Sequence, residues 1–203
     1  MPLSASSYVR SSRRIVLRST ALLAFSLALA TPALAQGTMP RVKLATSAGD
    51  IVVELAPDKA PKSVANFLQY VRDKHYDGTV FHRVIDGFMI QGGGYTADFK
   101  EKPTRAPVPL EAGNGLKNER YTVAMARTSN PDSATSQFFI NVKDNANLDA
   151  PNPDGHGYTV FGKVVSGADV VDKIRAVRTA GQGRMQNVPV DPITIQSATI
   201  VAK

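Results

Sequence analysis

The chain has 203 residues, of which 43% are hydrophobic and 20% are charged, as expected for one folded domain with a sizeable core. The net charge of +7 does not indicate a nucleic-acid partner, because subtracting the four arginines that precede residue 36 leaves +3. The chain has no cysteine, which excludes a disulfide, a thiolate nucleophile and a lipid-modified cysteine.

Residues 1–35 have the pattern of a cleavable export signal. A basic stretch without acids precedes an apolar run, residues 21–30, that is too short to cross a bilayer, and Ala33-Leu34-Ala35 is an A-x-A cleavage site. Residues 12–18, SRRIVLR, are similar to a twin-arginine motif but have Val16 where that pattern usually has Phe, so both this route and general secretion stay open. We expect a periplasmic protein with no membrane anchor after cleavage.

Residues 36–40 are predicted to be a short linker, followed by a single domain over residues 41–203. Alternating apolar residues at 41–46 and 51–55 predict an antiparallel hairpin. Apolar residues at positions 64, 67, 68 and 71 then predict an amphipathic helix over residues 61–73, which begins with a proline.

Residues 79–94, TVFHRVIDGFMIQGGG, predict a second hairpin around the turn Asp86-Gly87. A two-residue turn places Arg83 and Gln91 on opposite faces, and the hairpin is then an edge element whose arginine extends into water. A three-residue turn that includes Phe88 pairs Arg83 with Gln91 and places both on one face with Met89. That face is a candidate site, and the spacing alone leaves both registers open.

The second half of the chain predicts short strands separated by loops. Residues 95–120 carry three prolines and two glycines and form a long irregular segment. Within residues 137–142, alternation places Gln137 and Phe139 on one face and Phe138 towards the core. Strands are predicted at 121–126, 137–142, 158–165 and 193–201, a helix at 167–177, and loops at 127–135, 150–157 and 178–192.

About eight short strands with one early and one late helix indicate a mainly β fold, a closed antiparallel eight-stranded β-barrel capped by two α-helices. The three histidines lack metal-ligand spacing, so no metal site and no cofactor are expected. Residues 92–97 match G-x-G-x-x-A, but the prolines that follow exclude the helix of a dinucleotide site.

Three ordered motifs carry a resemblance to a known family. They are residues 81–93, FHRVIDGFMIQGG; Met125-Ala126-Arg127 with residues 136–140, SQFFI; and residues 161–164, FGKV. Together they resemble the cyclophilin family of peptidyl-prolyl isomerases over residues 42–201. The resemblance implies the same barrel, no cofactor, and an enzyme that accelerates rotation about X-Pro bonds. The partners would be proline-containing polypeptides, and nothing in the sequence indicates more than a monomer.

The resemblance also implies roles for individual residues. Arg83 would donate a hydrogen bond to the prolyl nitrogen, and Gln91 would orient Arg83 and hold the substrate carbonyl. His82 and Gln137 would support them, although a merely structural, buried His82 is an equal alternative. The residues implied at the substrate are Phe88, Met89, Phe139 and Leu148 around the proline, the backbone of Ala126 and Arg127 along the peptide, and Tyr158.

Four positions depart from many eukaryotic members of the family. Asn147 stands in place of a tryptophan, which predicts weak binding of cyclosporin. Arg127 replaces asparagine, Tyr158 replaces histidine and Asp86 replaces proline, and the first two, with Asn147, resemble the bacterial exported branch. The alternative function is a non-catalytic chaperone that binds proline segments in the same groove, but a pure binder has no need of the Arg83 donor.

Overall fold

The computed structural model describes residues 39–201. The export signal predicted over residues 1–35 and most of the linker lie outside the described residues. The strands are β1 (Arg41–Thr46), β2 (Gly49–Leu55), β3 (Thr79–Val80), β4 (Arg83–Ile85), β5 (Met89–Gly92), β6 (Thr122–Met125), β7 (Phe138–Asn141), β8 (Val160–Ser166), β9 (Thr179–Gln182), β10 (Met185–Pro189) and β11 (Thr194–Val201). The helices are α1 (Pro61–Arg72), α2 (Ala168–Arg175) and one 3-10 turn (Ala146–Leu148).

Nine strands form one antiparallel sheet in the order β3-β11-β1-β2-β8-β6-β7-β5-β4. Its two edge strands, β3 and β4, are separated in the chain only by Phe81 and His82, so the sheet must curl round until its edges nearly meet. The predicted mainly β fold with two helices is confirmed. The sheet has nine strands rather than eight because the first strand of the hairpin predicted over residues 79–94 is interrupted at this pair.

The main core lies between the curled sheet and α1. Val42 and Leu44 of β1 and Ile51 of β2 are fully buried, as their alternation predicts. Phe138 is also fully buried, and its ring packs edge-on against Phe67 of α1 at 5.5 Å between centroids. The prediction that Phe138 belongs to the core is therefore confirmed.

Helix α1 receives its N-terminal cap from the long irregular segment. No side chain next to the helix start caps it, and Glu111 instead accepts hydrogen bonds from the backbone N–H groups of Lys62 (3.0 Å) and Ser63 (2.8 Å). A carboxylate satisfies N–H groups that lack partners and interacts favourably with the helix dipole. The segment predicted as irregular is thus tied to the first helix. Within residues 39–201, no helix has the length and hydropathy needed to cross a membrane.

The segment predicted as a loop over residues 178–192 contains a separate two-stranded sheet, β9 paired with β10. Two glycines and few apolar residues hide the alternation that would signal these strands. Strand β10 lies against β4, so the β9–β10 hairpin packs beside the hairpin formed by β4 and β5.

Buried asparagines fix the turn that follows β7. The Asn145 side-chain Nδ2 donates to Asn141 Oδ1 (2.7 Å) and to the backbone oxygen of Phe88 (2.8 Å). The backbone of Asn145 donates to Asn118 O (2.7 Å) and accepts from the N–H of Leu148 (2.8 Å). One buried residue, Asn145, therefore connects the segment of Phe88 through its side chain and that of Leu148 through its backbone.

We expect the substitution Asn145→Ala to lower the free energy of unfolding by about 1–3 kcal/mol, because it leaves Asn141 Oδ1 buried without its donor. The matched control is Asn147→Ala, in the same turn but exposed, which should change that free energy by less than about 0.5 kcal/mol. Urea unfolding measures both. Equal destabilisation by the two substitutions would contradict this account of Asn145.

Candidate active site

The pairing of β4 with β5 decides which side chains share a face. Ile85 is opposite Met89 and Arg83 is opposite Gln91, so the turn contains three residues, 86–88, and the alternative two-residue register is wrong. Gly87 provides the positive φ of +69° that this turn requires. The carboxylate of Asp86 accepts from Gly87 N (2.9 Å).

Asp86 also anchors the hairpin tip to helix α2. Its Oδ1 lies 2.6 Å from Nη1 of Arg175. The hydrogen bond from Arg175 holds the pKa of the Asp86 carboxyl below its ordinary value. Asp86 therefore contributes a local hydrogen bond and a tertiary ion pair.

A cavity of about 240 Å³ opens beside this hairpin. Its apolar walls come from β5, β7 and the 3-10 turn, and Met89 and Phe139 are almost fully buried there. The guanidinium of Arg83 and the amide of Gln91 form its polar edge. All nine lining residues were predicted from the sequence: Arg83, Phe88, Met89, Gln91, Ala126, Arg127, Phe139, Leu148 and Tyr158.

Hydrogen bonds between side chains hold the polar edge in place. Arg83 Nη1 donates to Gln91 Oε1 (3.3 Å), and Gln91 Nε2 donates to Gln137 Oε1 (2.9 Å). Gly94 lies against the last member of this relay, since a Cβ at residue 94 would come within 2.6 Å of Gln137 Cγ. Gln137 therefore lies behind Gln91 and does not line this cavity.

Arg127 is held by its neighbours rather than free to bind a ligand. Its guanidinium donates to Gly157 O (3.0 Å), Thr128 O (2.9 Å) and Asp154 Oδ1 (2.8 Å), and it stacks 4.5 Å from the ring centroid of Tyr158. Its side chain is only 2% exposed. The hydrogen bond from Arg127 keeps the pKa of the Asp154 carboxyl below its ordinary value. The Arg127 side chain thus braces the wall that contains Tyr158.

The backbone beside the cavity offers one donor and one acceptor. The N–H of Ala126 donates to Gln137 O (3.0 Å) and is occupied. Within residues 39–201, the Ala126 carbonyl and the Arg127 N–H have no hydrogen-bond partner. An extended peptide can pair with those two groups, as in the addition of a strand to a sheet.

His82 is buried outside the cavity. Its ring packs edge-on against Tyr95 at 4.8 Å, and its Nδ1 has no partner within the described residues. Burial lowers the pKa of His82 to about 4, the Val80 backbone opposes this effect, and the charge of Arg83 lowers the pKa further. His82 is therefore neutral at pH 7. Among residues 39–201, no cluster of three His, Asp or Glu side chains is arranged to hold a metal ion.

Three residues that support the site were not anticipated: Gly94, Asn145 and Asp154. The glycine run at residues 92–94 carries a signal, because glycine in or beside a strand often marks close packing. Asn145 and Asp154 give no local signal for these roles, since the partners concerned, Phe88 and Arg127, lie 57 and 27 residues away in the chain.

Comparison with known proteins agrees with the motifs. Residues 41–200 match the family described as cyclophilin type peptidyl-prolyl cis-trans isomerase. The chain is 59% identical over 165 residues to peptidyl-prolyl cis-trans isomerase cyp18 of Streptomyces antibioticus, which covers 80% of this chain and 99% of that protein. It is 57% identical over 178 residues to peptidyl-prolyl cis-trans isomerase A of Dickeya dadantii (strain 3937), and the match covers 88% of this chain and 93% of that protein.

The fold has solved counterparts. A crystal structure of a cyclophilin type isomerase from Cryptosporidium parvum, determined in the presence of the dipeptide Ala-Pro, is similar with a TM-score of 0.66 at 27% sequence identity. The similarity covers 80% of this chain and 99% of that one. With the family match over residues 41–200, these findings establish that the chain belongs to the cyclophilin type peptidyl-prolyl cis-trans isomerases.

Proposed function

We propose that Arg83 donates a hydrogen bond to the prolyl nitrogen of a bound X-Pro segment and that this contact is the main source of catalysis. The observation that carries the proposal is the position of Arg83 at the edge of an apolar cavity, with one N–H directed to Gln91. A guanidinium has five N–H groups, so Arg83 has further N–H groups available to a substrate. Among residues 39–201, no carboxylate forms a salt bridge with Arg83.

The chemistry explains why such a donor is sufficient. Delocalisation of the nitrogen lone pair into the carbonyl produces a rotation barrier of about 18–20 kcal/mol. When the amide twists, the lone pair localises on nitrogen and becomes an acceptor that neither planar isomer offers. A donor directed at that nitrogen therefore binds the transition state more strongly than the substrate, and no nucleophile or proton transfer is required.

The other residues would position the peptide. Phe88, Met89, Phe139 and Leu148 would enclose the proline ring, and Gln91 would orient Arg83 and hold the substrate carbonyl. The Ala126 carbonyl and the Arg127 N–H would pair with the peptide backbone. Raising the rate from about 10⁻² to 10³ per second requires lowering the barrier by roughly 7 kcal/mol, which positioning and the Arg83 donor would share.

We further propose that the substrates are exported proteins that fold in the periplasm, on which the protein acts as a monomer. The support is the pattern of residues 1–35, with its basic start, short apolar run and A-x-A site. Proline isomerisation limits the folding of many chains, so an isomerase in that compartment would accelerate the folding of its clients.

We expect Arg83→Ala to reduce kcat/KM for a short X-Pro peptide by about 10²- to 10³-fold, the effect of removing one preorganised donor. Arg83→Lys retains the charge without the planar fork and should recover only part of the rate. A protease-coupled or NMR exchange assay measures turnover, and circular dichroism confirms that the fold persists. Undiminished turnover in a folded Arg83→Ala protein would remove the catalytic assignment and favour a proline-binding chaperone.

The relay behind Arg83 has its own test in Gly94→Ala. The new methyl group would displace Gln137, so Gln91 loses one fixed partner, and we expect kcat/KM to fall roughly fivefold, as for about 1 kcal/mol of hydrogen-bond energy. The matched control is Gly113→Ala, because a Cβ there meets no atom within 4 Å. Equal activity of the two variants would show that the relay does not contribute to turnover.

The export proposal is tested with the full chain expressed in a Gram-negative host. We expect the protein in the periplasmic fraction, shortened at Ala35 as determined by mass spectrometry. Substitution of both Arg13 and Arg14 by lysine should block export by the twin-arginine route and leave general secretion unaffected. An uncleaved protein that stays in the cytoplasmic fraction would exclude the proposed location.

A further inference from the structure

We propose that a second cavity beside Arg83 binds an acidic side chain close to the substrate proline, an inference that rests on the proposed function. This cavity, here called the flank cavity, has a volume of about 360 Å³ and lies between the β4–β5 hairpin and the tip of the β9–β10 hairpin. Arg83 and Gln91 line it on one side, and Arg184 and Gln186 line it on the other.

The flank cavity adjoins the apolar cavity beside Arg83 that would enclose the substrate proline, here called the proline cavity. Arg83 and Gln91 line both spaces, so a peptide whose proline occupies the apolar cavity can place a neighbouring side chain in the flank cavity. Successive residues of an extended chain advance only about 3.3 Å each, so the side chain in question belongs to a residue within a few positions of the proline.

The charges that border the flank cavity are positive. Arg83 and Arg184 both line it, and no carboxylate within residues 39–201 forms a salt bridge with either. Other arginines are neutralised locally, for example Arg105 by Asp73 and Arg120 by Asp172. A guanidinium that has no carboxylate in an ion pair with it is suited to bind one, through two parallel hydrogen bonds.

A third cavity, which Gln91 and Gln137 also line, differs from the flank cavity in its charged residues. Its volume is about 190 Å³, and its charged lining residues are Glu101 and Arg127. Arg127 already donates to Gly157, Thr128 and Asp154, so the charge that remains available to a peptide is that of Glu101. A carboxylate should therefore be favoured in the flank cavity and disfavoured in the third cavity.

The β9–β10 hairpin brings Arg184 to this position. Gly183 has a φ of +60°, which forms the turn, and β10 lies against β4, so the arginine that follows the turn reaches the cavity beside Arg83. Because Arg184 is exposed and does not line the proline cavity, it should affect the choice of substrate without affecting turnover of a neutral peptide.

The experiment uses matched X-Pro peptides that differ only in having Glu or Gln at one of the three positions before or after the proline. We expect Glu on one side of the proline, and not on the other, to lower KM about two- to fivefold relative to Gln, the effect of an exposed ion pair. This preference should weaken as salt is added. Arg184→Gln should abolish it, and Arg184→Glu should transfer it to peptides with Lys at that position.

The control is Arg178→Gln, an exposed arginine near the same hairpin that does not line the flank cavity. It should leave the preference for Glu intact. The inference is overturned if Glu gives no one-sided preference, if the preference survives Arg184→Gln, or if Arg178→Gln reduces it equally. The proposed function is tested separately by turnover of the peptide that has Gln in place of Glu, and by the dependence of that turnover on Arg83. Failure of the proposed function can therefore be distinguished from failure of this inference.

Discussion

The candidate site depends on the register of one hairpin. With three residues in the turn at 86–88, Arg83 is opposite Gln91, and both border the cavity that also contains Met89. A shift by one residue would rotate Gln91 to the other face, because side chains alternate along a strand. The ion pair between Asp86 and Arg175 anchors this turn to α2, so a tertiary contact supports the local geometry.

Around that hairpin, the site combines an apolar cavity with a polar edge that is fixed from behind. Gln137 holds Gln91, and Gln91 in turn holds Arg83, while Asn145 connects the segments that carry Phe88 and Leu148. Such support matters for a reaction without covalent chemistry, since positioning and directed hydrogen bonds must then supply most of the rate enhancement.

Two residues have roles that side-chain chemistry alone does not indicate. Arg127 is a cation next to the cavity, yet three hydrogen bonds and the ring of Tyr158 engage its guanidinium and make it a brace. His82 is beside Arg83 in sequence, yet it is buried against Tyr95 with a pKa of about 4 and is uncharged at neutral pH. A position next to the site therefore does not give Arg127 or His82 a catalytic role.

Local patterns in the sequence predict several elements of the fold and the residues of the candidate site. Alternation and helical spacing predict β1, β2 and α1 to within two residues, because each element buries one face and its period appears in the sequence. The motifs around Arg83, Phe139 and Phe161 carry the family resemblance, and the nine residues that line the cavity beside Arg83 are among those that it implies. What the sequence could not decide was the turn register, since Asp86-Gly87 suits either length.

Only the tertiary structure decided the features that depend on distant contacts. It selected the three-residue turn, interrupted the predicted strand at Phe81-His82, and formed the β9–β10 hairpin where the sequence predicts a loop. It also assigned Asn145, Gly94 and Asp154 to the support of the site. The β9–β10 hairpin is missed for a local reason, because two glycines and few apolar residues hide its alternation. The other features depend on hydrogen bonds and close packing between residues far apart in the chain, and no local period records such partners.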